Sequence, residues 1–241
     1  MIKAVVFDVD DTLYDQKAPF VAALAPIVQL PSSFDLTPTF QAYRRQSAQA
    51  YARVASGSWS TTEMAVRRLN AALHAQDLPP VTPEAALAFQ EAYVRELQHI
   101  KLFPGLAAAL DRLKERYQLG IITNGHTDHQ LAKVMRLKMH QWIDRDAILT
   151  SEEAGLAKPD PQIFTTMNRR LNLRASESVY IGDCYSMDVK AAKQAGWQAF
   201  WFNHRNLEIP DGDWIPDQTV ENPAELQDLL LALTTLTKAS F

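Results

Sequence analysis

Five short apolar runs punctuate the chain, at Ile2 to Phe7, Gln118 to Thr123, Ala147 to Thr150, Ser178 to Ile181 and Gln198 to Phe202. The first, Ile2, Ala4, Val5, Val6 and Phe7, is too continuous for a strand with one wet face, which would alternate polar and apolar residues. It predicts a strand buried on both faces of a parallel sheet. Between the later runs the apolar residues switch to helical spacing. Leu106, Leu110, Leu113 and Tyr117 follow a Pro104-Gly105 break, and Ile163, Met167 and Leu171 follow Asp160-Pro161, a capping residue and a good first helical residue. Met187 to Ala195 reads as another helix, and Glu225 to Leu236, with Leu226, Leu229, Leu233 and Leu236, as a last one packed back on the core. The alternation predicts a doubly wound, Rossmann-like parallel α/β sheet.

From about Lys17 to Ile100 the alternation stops. Val66, Leu69 and Leu73 make one helical stripe and Ala86, Phe89, Tyr93 and Leu97 another, with breaks at Pro31-Ser32-Ser33, Ser56-Gly57-Ser58 and Pro79-Pro80. The expected organisation is a catalytic core of residues 1–16 and 101–241 interrupted by a helical cap domain, 17–100. An insertion that leaves directly after the first strand can serve as a lid.

Composition narrows the function classes. At 241 residues and 47% hydrophobic, the chain can build one large core plus a satellite domain. Its 24 Lys and Arg against 28 Asp and Glu leave a net charge of −4, so no basic field recommends a nucleic acid polymer. Arg44-Arg45, Arg67-Arg68 and Arg169-Arg170 read as solvated helix faces. No run approaches a membrane-spanning length, the N-terminal run is too short for a signal-peptide core, and the lone Cys184 cannot form an internal disulfide. A cytoplasmic protein, monomeric or homodimeric, is expected.

The chemistry gathers where the apolar runs end. Asp8 and Asp10 follow the first run in MIKAVVFDVDDTLYD. Carboxylates concentrated at the mouth of a buried strand repel one another and lose water, and a divalent cation is the natural compensation. In such sheets ligands collect at the carboxyl ends of the strands. After the second run comes IITNGHTDH, with Thr123 and Asn124 at a strand end and Gly125 free to turn backbone amides toward an oxyanion. Lys158, in SEEAGLAKPDPQIF, reads alone as an exposed lysine, but Pro159 stiffens the backbone behind it. In VYIGDCYSMD, Gly182, Asp183 and Asp188 follow another buried run, and a second acidic strand end favours a metal site over a helix cap.

In order and spacing these four segments resemble the signature motifs of the haloacid dehalogenase superfamily, over about two-thirds of the chain. The insertion resembles the helical cap of its first subgroup. ITNG followed by SEEAGLAKP and IF is similar to the pyrimidine 5'-nucleotidase-like branch. The resemblance implies that Asp8 is the nucleophile, forming an aspartyl phosphate, and that Asp10 is the general acid and base. It further implies that Thr123, Asn124 and Lys158 hold the phosphoryl group, that Mg2+ is held by Asp8, the Asp10 carbonyl and Asp183, and that Thr12, Gly182 and Asp188 support them. Asp188 either binds through water or orients Lys158. Asp11 stands where many relatives have Gly, and is expected to be tolerated in the turn.

The implied activity is Mg2+-dependent hydrolysis of a small phosphorylated metabolite, with a nucleoside 5'-monophosphate first and a sugar or acyl amino-sugar phosphate as alternative. A 2-haloacid dehalogenase is disfavoured because that branch typically carries Tyr at position 10. A non-catalytic binding protein is disfavoured because it need not keep buried charge. His126, His129 and His140 suggest zinc only weakly, lacking a completing cysteine or carboxylate cluster. Trp59, His126, Asn203 and His204 are further candidates near substrate, and Cys184 reads as a buried filler.

Overall fold

A computed structural model describes residues 1–31, 33–55, 57–208 and 214–235. The apolar runs become strands because a continuous apolar segment can satisfy its backbone and both side-chain faces only in the middle of a sheet. They are β1 (Ala4–Phe7), β2 (Gln118–Thr123), β3 (Ile148–Thr150), β4 (Ser178–Gly182) and β5 (Gln198–Phe202). A sixth strand, β6 (Gln218–Val220), extends one edge; its Gln-Thr-Val sequence carries no apolar run. All neighbours pair in parallel in the order β3-β2-β1-β4-β5-β6. Strand order reverses between β1 and β4, the place where such sheets open a ligand crevice. Phe7 lies level with both Ile121 and Ile181, and Asp8 N–H donates to Ile181 O at 2.9 Å, so Asp8 leaves the sheet at that crevice.

The chain divides into two units, Met1–Asp15 with the chain from Ile100 onward, and Gln16–His99. In the first, α5 (Leu106–Leu113), α6 (Thr127–Arg136), α7 (Ser151–Ala154), α8 (Gln162–Leu171), α9 (Lys190–Gln194) and α10 (Pro223–Thr235) surround the strands. Their numbering follows α1 (Lys17–Leu24), α2 (Thr37–Ala55), α3 (Thr61–His74) and α4 (Pro83–Glu96) of the second unit. Ala4 and Val6 of β1 share one buried cluster with Ile163, Phe164 and Met167 of α8 and Ala191 and Ala192 of α9. Asp160 starts α8 by accepting from Gln162 N at 2.9 Å. Tyr117 lies beyond the end of α5, and its hydroxyl donates to Leu233 O of α10 at 2.7 Å. The segment read as a helix from Met187 instead opens as a wide π-type turn, Tyr185–Val189, before α9. Phe103 N–H donates to Leu13 O at 2.9 Å, joining the two points between which the second unit is inserted.

That second unit has its own core, built on Phe20, Phe40, Tyr43, Leu69, Leu73, Ala86, Phe89 and Tyr93. Its rings meet edge-on or tilted at 5.1 to 5.9 Å, except the stacked pair Phe89 and Tyr93. Leu69 and Leu73 of the expected stripe are buried here and Val66 packs against them. Ser60 and Glu63 close a capping box at the start of α3. Arg68 corrects the reading of Arg67-Arg68 as a solvated face. It is only 3% exposed, its guanidinium lies 4.2 Å from the Tyr43 ring centroid, and it donates to Gln90 Oε1 at 2.6 Å. Arg169 and Arg170 are both exposed, as expected, and Arg170 pairs with Glu153 at 2.9 Å. Ser32, Ser56 and Leu236, each part of an expected break or helix, lie outside the described residues.

Candidate active site

Four chain segments deliver charge to the crevice between β1 and β4. Asp8, 5% exposed, accepts from Lys158 Nζ at 2.7 Å and from the Thr12 hydroxyl at 3.4 Å. Lys158 is buried, not exposed as it reads in isolation, and its ammonium also donates to Asp188 Oδ1 at 2.7 Å and the Tyr180 hydroxyl at 2.8 Å. The Tyr180 hydroxyl in turn donates a hydrogen bond to Ile122 O at 2.7 Å. Burial opposes the charge on Lys158, yet the carboxylates of Asp188 and Asp8 hold it well above the usual lysine range. Asp188 thus pairs with Lys158 through one oxygen, and its other oxygen accepts from Cys184 N at 2.9 Å. Gly182 makes this approach feasible, because a Cβ there would lie 2.4 Å from Asp188 Oδ2. Asp8, Asp183 and Asp188, all buried, can bring carboxylate oxygens within 4.8 Å of one another. Burial, opposed by Lys158 but reinforced by Asp188, Asp183 and Asp10, pushes Asp8 up from 3.8 to about 7.

Asp10 sits among different groups. Lys133 of α6 donates to both its oxygens, at 2.6 and 2.7 Å, Gln130 Nε2 to Oδ2 at 3.1 Å and the Tyr14 hydroxyl to Oδ1 at 2.5 Å. Burial alone would raise its pKa, but the Lys133 charge and the three hydrogen-bonding side chains together hold it below the usual carboxylate value. Neither Lys133 nor Gln130 was singled out from the sequence. Their signal was available: Gln130, Lys133, Val134 and Leu137 follow helical spacing, so two polar residues occupy a stripe that ought to be apolar.

The haloacid dehalogenase-like hydrolase family matches residues 2–196. The chain belongs to that family. This hydrolase is 29% identical to a glyceraldehyde 3-phosphate phosphatase of Methanopyrus kandleri over 97% of this chain and 99% of the relative. It is 33% identical to a ribulose-1,5-bisphosphate 5-phosphatase of Halopiger xanaduensis, over 84% and 85% of the two chains. Among solved structures, a 2-haloacid dehalogenase from Pseudomonas syringae pv. Tomato is 29% identical, with a TM-score of 0.59 over 97% of this chain and 99% of that one.

The remaining expected site residues of this hydrolase fall as follows. Thr123 ends β2, buried and level with Thr150 of β3. The Asn124 side chain is occupied at both ends by the backbone of Lys158, donating to its O at 2.8 Å and accepting from its N at 2.9 Å. It thus anchors the lysine loop to the end of β2. Asp183 follows β4 directly, with its carbonyl accepting from Trp201 Nε1 at 2.8 Å.

Asp11 is more than tolerated in its turn. It adopts a left-handed φ of 64°, is fully buried, and receives Arg205 Nη2 at 2.7 Å and Nε at 3.1 Å. His204 Nε2 lies 2.9 Å from Asp11 O, with its ring stacked on Phe202 at 4.4 Å. Arg205 reaches Asp15 as well. His126, at the start of α6, pairs with Glu152 at 2.8 Å, and its ring meets that of His129 edge-on. Asn203 bonds both N and O of Leu207. Trp59 has the guanidinium groups of Arg53 and Arg67 at 5.9 and 5.1 Å. Among the described residues, no helix is long and apolar enough to cross a membrane.

Proposed function

We propose that this hydrolase is a Mg2+-dependent phosphomonoesterase acting through an aspartyl phosphate. The observation that carries the reading is the Asp8–Lys158–Asp188 group with Asp183 beside it: a buried nucleophile, one fixed cation and surplus carboxylate charge. That surplus fits a hard divalent ion with oxygen ligands. Asp8 and Asp183 would hold it with the main-chain carbonyl of Asp10. Bound there, Mg2+ supplies positive charge against the phosphoryl oxygens.

The protein groups then divide the work. A carboxylate oxygen of Asp8 would attack phosphorus while the P–O bond to the leaving group breaks. Asp10, which despite burial Lys133 favours as the carboxylate, would take the proton of the substrate's phosphate monoanion and pass it to the leaving oxygen. Lys158, held by Asp188 and Tyr180, would balance charge on Asp8 and on the transferring group. In the second step water would attack the aspartyl phosphate, the bond from Asp8 to phosphorus would break, and Asp10 would take the water's proton. The transferred group is anticipated near Thr123 and the backbone turn of Asn124 and Gly125.

Relatives named for glyceraldehyde 3-phosphate and ribulose-1,5-bisphosphate support a small hydroxylated sugar phosphate ahead of the nucleoside 5'-monophosphate that heads the sequence-based order. We assign the selectivity to the helical unit, Gln16–His99, as a cap. The likeness to a 2-haloacid dehalogenase keeps carbon–halogen cleavage as a second reading, and the acid at position 10 speaks for ester cleavage. Purified protein with Mg2+ is expected to hydrolyse p-nitrophenyl phosphate and at least one sugar phosphate, and to lose this with chelation. Asp8→Asn should reduce turnover by at least about 10⁴-fold, as removal of a nucleophile does. Hydrolysis that survives Asp8→Asn, or chloride release from 2-haloacids without added metal, would overturn the reading.

A further inference from the structure

We propose that Gln130 and Lys133 of α6 are positioning residues that set the orientation of the Asp10 carboxylate for its two proton transfers. The inference rests on Asp10 acting as acid and base in the function above.

Three features carry it. Lys133 is 9% exposed, and its ammonium is directed onto both oxygens of one carboxylate. A buried lysine so placed does not serve solubility or a surface helix pair. Gln130, 4% exposed, uses its amide nitrogen twice, on Asp10 Oδ2 and on Asn124 O at 3.0 Å. Since both partners are acceptors, the amide cannot be turned the other way round. Its Oε1 is then left buried with no hydrogen-bond partner among the described residues, a cost that an apolar residue of similar size would avoid. The third feature is Gly125. At φ 141° it suits glycine alone, and a Cβ there would lie 2.7 Å from Gln130 Nε2. The glycine of the Thr-Asn-Gly turn thus clears the place in which the Gln130 amide reaches Asp10.

The chemistry explains why orientation has to be built. In both in-line steps the oxygen that exchanges a proton lies opposite Asp8, as the leaving oxygen in the first and as the attacking water in the second. One carboxyl therefore serves both only if it stays aimed at that single position. With both its oxygens received by Lys133, Asp10 meets a reacting oxygen by exchanging one of these bonds. The remaining bonds to Lys133, Gln130 and Tyr14 then hold it in place. Misplacement of a reacting group by about 1 Å is enough to cost about 10²-fold in rate.

The test uses kcat/KM, which reports the steps through phosphorylation of Asp8, on the Mg2+-supplemented full chain. p-Nitrophenolate leaves without help from an acid, whereas an alkoxide needs the proton. Gln130→Leu and Lys133→Met are expected to lower kcat/KM for an alkyl phosphate at least about 10-fold more than for p-nitrophenyl phosphate, within the 10²–10⁴-fold scale of general acid catalysis. Lys133→Arg should recover most of the difference, and inhibition by inorganic phosphate should change little. Equal losses on both esters, or none, would overturn the positioning role. Should Lys133→Met fail to fold, Gln130→Leu and Lys133→Arg carry the comparison alone. If Asp8→Asn leaves ester hydrolysis intact, it is the catalytic reading that has failed, not the assignment of Asp10's holders.

Discussion

Asp8 and Asp10 are separated by one residue, yet the sheet and α6 give their carboxyl groups opposite surroundings. Asp8 lies close to Asp183 and Asp188 with Lys158 paired to it, and burial with like charge raises it to about 7. Asp10 receives Lys133, Gln130 and Tyr14, and against the effect of burial these hold it below the ordinary range. In a continuing strand residues i and i+2 would share one face, but β1 ends at Phe7, so Asp8 and Asp10 both lie beyond it and are free to meet different neighbours. The comparison teaches that one carboxylate is left short of positive charge, as the metal ligand and nucleophile proposed above would be, while the other is already supplied from the protein.

The largest expected break in this contrast is Lys158→Met. It removes the one cation facing Asp8 and Asp188, and a buried pair broken from one side costs about 3–5 kcal/mol. Urea unfolding without metal should show a loss of that order, with phosphatase turnover falling at least about 10³-fold. A smaller loss would mean that water already screens the pocket.

The next effect sharpens the difference through pH. Since Asp8 titrates higher in the folded protein than its ordinary 3.8, the folded state binds more protons than the unfolded one between about pH 4 and about pH 7. The Asp8 contribution to the stability of the metal-free protein, read as wild type minus Asp8→Asn, should therefore fall as pH rises through that window, by about 2–4 kcal/mol at roughly 1.4 kcal/mol per unit. Saturating Mg2+, which favours the ionised carboxylate, should flatten this fall. Thermal melts of both proteins at the two ends of the window, with and without Mg2+, check it, and a difference that grows toward neutral pH would contradict it.

The smallest effect is Tyr180→Phe. Lys158 keeps both carboxylates but loses one acceptor, and Ile122 O loses its donor. About 1–3 kcal/mol of stability should go, with kcat reduced less than about 10-fold. A larger kinetic loss would make Tyr180 a principal support of the lysine.

Much of the sheet was legible because β1, β2, β4 and β5 are buried on both faces and so write themselves as apolar runs. β3 begins at Ile148 rather than Ala147, and β6 escaped notice because Gln218 and Thr219 on an exposed edge need not be apolar. The residues that meet at the crevice were legible for a related reason: each follows the end of a buried strand or precedes a helix. What could not be read was the partnership between them. Asn124 reads as a ligand for phosphate, whereas its side chain bonds the Lys158 backbone. Lys133 and Gln130 lie far along the chain from Asp10, and only their polarity on an otherwise apolar stripe hinted at a charged partner. Arg205 likewise could not be linked to Asp11 before the fold brought them within hydrogen-bond distance.

The backbone bond from Phe103 to Leu13 closes the sheet-bearing unit across everything between them. Seen as polymer physics, the intervening helices form a loop whose ends are already pinned, and doubling such a loop costs only about 0.6 kcal/mol. The sheet-bearing unit therefore incurs little extra closure entropy for a longer insert at this seam, whatever the insert itself does.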